Sequence, residues 1–211
     1  MTDIDRRFML GGSDAAAVMG LSPYSTPVEL WQRKTGRVVE QIDARREKMF
    51  ARGHKLEPFI RDMAIDRLRE DFGLRVELAS VNERYADPTY PFLACEIDFE
   101  LRLTGTTAIN GEEVVFDGEL VNADAKSVTG FARKKWGAEE ATEDVPIEYA
   151  AQFMHGLMVT NRRYCVVAAL RSFDDVDIYW TVRDDETIAA MRQRELAFWH
   201  HVTSDTPPDP L

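Results

Sequence analysis

Residues 119–126 read Glu119-Leu120-Val121-Asn122-Ala123-Asp124-Ala125-Lys126, and upstream of them 97–103 read Ile97-Asp98-Phe99-Glu100-Leu101-Arg102-Leu103. In a strand successive side chains point to opposite faces, so Asn122, Asp124 and Lys126 share one face and Val121, Ala123 and Ala125 the other. The upstream stretch alternates in the same way, with Ile97, Phe99, Leu101 and Leu103 on one face and Asp98, Glu100 and Arg102 on the other. Two neighbouring strands of this kind bring Asp98 and Asp124 together. Close carboxylates repel unless one is protonated or a cation lies between them, and hard oxygen ligands suit Mg²⁺ or Mn²⁺. Lys126, two residues on, is placed to orient or deprotonate a water, or to neutralise a phosphate.

Around this pair the hydrophobic pattern predicts strands at 74–80, 91–103, 164–170 and 177–182, with 104–118, carrying Asn110-Gly111, as a hairpin connection. Ser13 reads as the N-cap of a short Ala-rich helix that ends at Gly20, and Thr26-Pro27-Val28-Glu29 as the start of a second helix that stops at Gly36. Apolar spacing predicts helix from about 43 to 72, whole or kinked at Pro58. Helices are also expected over 146–161 and 185–202, with the tail 204–211 irregular. In the first of these, Ala150, Ala151, Met154, Leu157 and Met158 form the buried stripe, and Glu148, Gln152 and His155 fall on the opposite side, His155 as a partly buried surface histidine. The polar stretch 129–144 reads as a DNA-contacting loop, a lid or a linker. The pattern as a whole predicts one α/β domain over 1–211: a helical part to about 72, a central mixed sheet over about 74–183 flanked by helices, and a closing helix over about 185–203.

The chain has 211 residues, 45% of them hydrophobic, enough for a sizeable core. It shows no apolar run of membrane-spanning length and no basic, apolar leader, so it reads as soluble and cytoplasmic. Cys95 and Cys165 lie in apolar runs and read as buried free thiols; two cysteines cannot supply the four thiolates of an iron–sulfur cluster. The formal net charge of −11 counts against a simple nucleic-acid binder. Net charge is a global quantity, however, and Arg6-Arg7, Arg45-Arg46, Arg133-Lys134-Lys135 and Arg162-Arg163 concentrate positive charge locally.

Asp98 followed by Asp124-Ala125-Lys126 resembles the D…(D/E)-x-K core of the PD-(D/E)XK nuclease superfamily. Gly11-Gly12-Ser13-Asp14 through Pro23-Tyr24, Pro27-Val28-Glu29-Leu30-Trp31 and Lys34-Thr35-Gly36 are similar to the N-terminal signature of the YqaJ-type phage recombination exonucleases, the group that includes lambda exonuclease. Gly53 to Pro58 resembles that group's G-x-x-x-E-P helix, and Gln152 to Thr160 its glutamine-bearing helix. The resemblance runs in order from about residue 11 to about 170 and implies a restriction-endonuclease-like core. It further implies a Mg²⁺-dependent 5′-to-3′ exonuclease on double-stranded DNA ends that leaves 3′ single strands for recombination, in a phage or prophage of a bacterial host. Asp98, Asp124, the Ala125 carbonyl and Glu57 would hold the metal, Lys126 and Gln152 would act on water or phosphate, and Ser13 with Arg6 or Arg7 would hold the 5′ phosphate. A trimeric ring and a single-strand annealing partner are implied likewise.

Asp124 stands where the family carries Glu, Ile97 where the superfamily has Pro, and Phe99 where Gly is common. None of these removes a ligand. Two rival readings stay open: a non-catalytic DNA-end-binding recombination protein on the same fold, and a PD-(D/E)XK endonuclease.

Overall fold

A computed structural model describes residues 6–39, 43–128, 130–172 and 175–209. Five strands form one sheet in sequence order: β1 (Arg75–Ala86), β2 (Ala94–Ile109), β3 (Glu112–Ser127), β4 (Tyr164–Leu170) and β5 (Val176–Val182). Neighbours are antiparallel except β3 and β4, which run parallel. Parallel neighbours need a crossover, and helix α4 (Ile147–Thr160) supplies it. The expected mixed sheet is present, with the chain's helices on both of its faces.

β2 and β3 are longer than their hydrophobic pattern predicted. The connection is the two residues Asn110 and Gly111, both at positive φ (53° and 78°), and Thr104–Ile109 pair with Glu112–Asp117 instead of looping. Gly118 (φ 68°), the far end of the expected connection, sits between ladder partners: Leu103 pairs with Glu119 and Thr104 with Asp117, so Gly118 is the extra residue of a bulge. Thr104, Thr106 and Thr107 are good strand formers, and here they are paired.

On one face lies α3 (Ala44–Glu70), a single helix through Pro58. It sets Ile60, Ala64, Ile65 and Leu68 on Phe99, Leu101, Leu103, Val121 and Ala123. Two residues of its apolar pattern, Met49 and Phe59, stay about half exposed, as does Phe50. On the other face α4 lies beneath α1 (Gly12–Val18), α2 (Pro27–Lys34) and α5 (Asp185–Thr203). It packs Phe153 and Leu157 on Cys165, Val167 and Tyr179 of the sheet, and Ala151 on Ala15, Ala16 and Met191. α2 opens as its sequence predicted: Thr26 Oγ1 accepts from Glu29 N at 3.2 Å, Glu29 Oε2 accepts from Thr26 N at 2.8 Å, and Pro27 is the first helical residue.

Because α4 is covered on two sides, the outward placing of His155 is corrected. His155 is fully buried, with Nδ1 2.8 Å from Glu195 Oε1 of α5 and Nε2 3.0 Å from the Ala94 carbonyl. A one-stripe reading of a helix fails when the helix is a middle layer. The segment read as loop, lid or linker is also structured in part. Ala141 N donates to Ile178 O and Trp180 N to Thr142 O, both at 2.9 Å, so residues 140–143 cover the free edge of β5. Cys95 and Cys165 are buried free thiols. Among the described residues no helix is long and apolar enough to cross a membrane. The side chains of Arg45 and Arg46 lie outside the described residues.

Candidate active site

The ladder between β2 and β3 ends at the pair Phe99 and Ala123. One residue further the strands part, and the Asp98 side chain takes over: its Oδ2 accepts the Ala125 N–H at 3.0 Å. Asp98 is thereby fixed beside Asp124-Ala125-Lys126. Lys126 Nζ lies 2.6 Å from Asp124 Oδ1, and Gln152 Nε2 of α4 donates to Asp124 Oδ2 at 3.3 Å. Tyr149 and Phe153, also from α4, lay their rings 5.1 and 5.4 Å from Lys126 Nζ. The strand alternation therefore delivers Asn122, Asp124 and Lys126 to the α4 face. Gln152, read as looking away from the core, looks into this site.

Burial sets the electrostatics. It pushes the Asp124 carboxyl up to about 7; Lys126 pulls the other way, and the charges of Asp98 and then Glu57 add repulsion. Burial would lower the Lys126 ammonium, but Asp124 and Asp98 outweigh it and hold Lys126 above its usual value. Asp124 Oδ1 is held by the Lys126 ammonium, and both groups are buried. A carboxylate destabilised by burial and by the charges of Asp98 and Glu57, which Lys126 offsets in part, is a place where a further cation lowers the energy. Among the described residues no three Asp, Glu, His or Cys side chains converge as a ready-made cage. Mg²⁺ does not need one, since one or two carboxylates with waters and substrate phosphates suffice. Asp98 and Asp124 supply two carboxylates. Glu57, on α3, is electrostatically coupled to Asp124 while its Oε1 lies 2.9 Å from His54 Nδ1.

The second predicted cluster is at the N-terminus of α1. Ser13 was expected to cap this helix, but Gly11 takes the cap position and Asp14 Oδ2 accepts the Gly11 N–H at 3.0 Å. The helix begins two residues earlier than the serine rule places it, so Ser13 lies in its first turn and its hydroxyl is available to Arg6, whose Nη2 donates to Ser13 Oγ at 2.5 Å. Arg7 turns elsewhere, with its guanidinium over the Phe8 ring and close to Gly36. Lys34 holds the arrangement from below. It is nearly buried and donates to Asp14 Oδ2, Met9 O and Arg6 O at 2.7, 2.7 and 2.8 Å.

Sequence reasoning missed a polar network on the same face as Asp98 and Asp124. Arg162 Nη1 donates to Glu100 Oε1 at 2.5 Å and to Asn122 Oδ1 at 2.7 Å, and Tyr85 Oη and Ser80 Oγ donate to the same Glu100 carboxylate. Burial alone would raise Glu100; bonds from Arg162, Ser80 and Tyr85 hold it below the usual carboxylate range. Arg162 was grouped with Arg163 as surface charge. The signal that could have separated them was Glu100, two residues after Asp98, and Asn122, two residues before Asp124, which are ladder partners on the acidic face.

Comparison with known proteins bears on what this arrangement is. The profile of the YqaJ-like viral recombinase domain matches residues 4–163. The protein YqaJ of Bacillus subtilis (strain 168) is 28% identical over 199 residues, which is 93% of this chain and 54% of that one, so the chain spans about half the length of this relative. Among solved structures, an alkaline exonuclease (LHK-Exo) from Laribacter hongkongensis aligns at TM-score 0.62 and 20% identity, covering 95% of this chain and 90% of the other. A phage-related exonuclease from Haemophilus somnus 129PT aligns at TM-score 0.58 and 13% identity, covering 93% and 96%. At these identities the likeness establishes the fold.

Proposed function

The chain belongs to the YqaJ-like viral recombinase domain family, and from that premise we propose that it is a metal-dependent deoxyribonuclease. The reading is a 5′-to-3′ exonuclease that degrades one strand of linear duplex DNA and leaves 3′ single-stranded tails for recombination or annealing. One observation carries it. Where β2 and β3 part, Asp98 is fixed beside Asp124 by the Ala125 N–H, Lys126 and Gln152 both reach the Asp124 carboxylate, and burial with the neighbouring acidic charges pushes that carboxyl up.

In this reading Asp98, Asp124 and the Ala125 carbonyl hold Mg²⁺, or Mn²⁺ in its place, with Glu57 contributing charge from α3. The ion, when bound, lowers the pKa of a water and stabilises charge on the attacking and leaving oxygens. Lys126, kept protonated by Asp124 and Asp98, offsets the charge of the scissile phosphate. Gln152 keeps Asp124 oriented and offers its amide to water or to a phosphate oxygen. Arg6 and Ser13 hold the 5′ phosphate, which fixes the end of the strand relative to the acids. A net charge of −11 favours a ring that encloses DNA over a flat binding surface, and the reading is a trimer that hands its product to a single-strand annealing protein in the cytoplasm of a bacterial host.

The test uses 5′-labelled linear duplex and covalently closed circular duplex. With Mg²⁺ the linear substrate releases mononucleotides and the circle stays intact; chelation stops release, and Asp124→Ala abolishes it while DNA binding persists. Binding to ends without release in either Mg²⁺ or Mn²⁺ would place the protein among non-catalytic end-binders. Cutting of circles would make it an endonuclease.

A further inference from the structure

Tyr149, whose ring lies 5.1 Å from Lys126 Nζ, also lines a pocket of about 200 Å³ that the nuclease reading does not use. Tyr24, Lys135, Trp136, Pro146, Glu148 and Tyr149 line it. We propose that this pocket is a nucleobase subsite, holding one unstacked base of the DNA strand that enters the active site; the proposal rests on the nuclease reading and adds to it a contact with the base.

Size, wall chemistry and position each point to a base. The volume far exceeds a water's share of roughly 30 Å³ and falls short of the usual small-molecule site of about 300–1,000 Å³, so it suits one planar heterocycle better than a whole nucleotide. Two walls are rings of different standing. Trp136 is buried and packed on Tyr149 and Tyr179, with ring centroids 5.7 and 5.3 Å away, so the floor is rigid. Tyr24, in the loop between α1 and α2, is 85% exposed, and an aromatic ring held in water at the mouth of a pocket gains by stacking.

The polar groups argue against an anion. Lys135 Nζ lies 3.2 Å from Glu148 Oε1, so the pocket offers a donor and an acceptor side by side with no net charge. That pair matches the edge of a base, which carries both, and would repel a phosphate at its acidic end. Phosphates have their own places nearby, at Lys126 and at Arg6 with Ser13. Tyr149 joins the two regions, since the ring that forms a pocket wall also lies 5.1 Å from Lys126 Nζ. A strand with a phosphate at Lys126 therefore has the pocket within a nucleotide's reach.

The experiment measures binding in chelator, where nothing is cleaved. Substrates are 5′-phosphorylated duplexes with a four-nucleotide 5′ overhang, intact or abasic at one of those four positions. Stacking on an aromatic side chain is worth about tenfold or more in affinity. One abasic position should weaken wild-type binding by about that factor. Tyr24→Ala should bind the intact duplex weaker by a similar factor and be indifferent to the same abasic position, while Tyr24→Phe keeps the wild-type pattern. A Tyr24→Ala protein that still senses the missing base, or a wild-type protein indifferent to all four positions while it degrades linear duplex, overturns the subsite and leaves the nuclease reading standing. A wild-type protein that binds none of these duplexes overturns both.

Discussion

Gly12 sits against Gln152 so closely that a Cβ at Gly12 would come within 3.1 Å of Gln152 Cγ and 3.2 Å of the Gln152 carbonyl oxygen. The first turn of α1, which carries Ser13, thus rests directly on the residue that reaches Asp124. Gly12→Ala should push the two helices apart. Overpacking of this kind costs about 1–3 kcal/mol, and nucleotide release should slow as Gln152 leaves Asp124. Gly53→Ala is the control, because a Cβ there meets nothing within 4 Å. In a helix interior it should stabilise by about 0.5–1 kcal/mol. Thermal melts of the two variants should move in opposite directions.

Metal binding can be read without activity. A ligand at a hundred times its Kd stabilises the folded state by about 2.7 kcal/mol, which for a chain of this size raises Tm by several degrees. Mg²⁺ should produce that rise in the wild type and not in Asp124→Asn. An equal rise in both would remove Asp124 from the metal site.

The Arg6 and Ser13 pair makes a prediction about DNA ends. A hydrogen bond to a charged group is worth about 1.5–3 kcal/mol, so duplex with a 5′ phosphate should be digested at least about tenfold faster than duplex with a 5′ hydroxyl. Arg6→Ala with Ser13→Ala should erase the difference, and Arg7→Ala should leave it. Persistence of the preference in the double variant would return Ser13 to a residue of the first turn and nothing more.

The His155 and Glu195 pair predicts a pH dependence of stability. Both imidazole nitrogens face acceptors, Glu195 Oε1 and the Ala94 carbonyl, an arrangement that favours the protonated ring. Burial would lower its pKa, but the Glu195 charge and hydrogen bond and the Ala94 carbonyl raise it above the usual histidine value. A raised folded value means the unfolded chain releases the proton first. The stabilisation is therefore complete below the ordinary histidine range and is lost as pH climbs through the raised value. Relative to a His155→Gln, Glu195→Gln double variant, the wild type should lose Tm over that window. Glu195→Gln alone should cost about 3–5 kcal/mol, since it breaks a buried pair. A flat difference between the curves would mean the pair is neutral.

Light scattering at low salt should report a trimer. Phe59 is 47% exposed on α3, apolar surface that a neighbouring copy would cover. Phe59→Glu should shift the species toward monomer and shorten the run of nucleotides released per binding event. A strictly monomeric wild type with full processivity would remove the ring.

Local chemistry was legible in the sequence and layering was not. Thr26, Pro27 and Glu29 named the start of α2 because a cap is made by residues three apart. Alternation put Asp124 and Lys126 on one face for the same reason. The reach of β2 and β3 was underestimated because Gly118 reads the same as a bulge and as a stop, and only the partner strand decides. His155 and Arg162 were misplaced because their surroundings come from α5, β1 and β2, far away in sequence. Gln152 could be tied to the acids through family resemblance alone; no spacing rule links residues 152 and 124. The pocket beside Tyr149 left no trace, since its walls come from three separate segments.

The turn that carries Arg133, Lys134 and Lys135 is held on both sides. Val128 N donates to Leu170 O at 3.0 Å, Gly137 N to Asp144 O at 2.8 Å, and residues 140–143 are bonded along β5. Ordering a free backbone costs roughly 1–2 kcal/mol per residue at room temperature, and a loop that had to settle on its ligand would lose that much affinity for each residue it fixed. Here the backbone at 137 and at 140–143 is already bonded to Asp144 and along β5. Association with a polyanion at this turn should show little conformational entropy loss from the protein, so its temperature dependence will be set by released counterions and water.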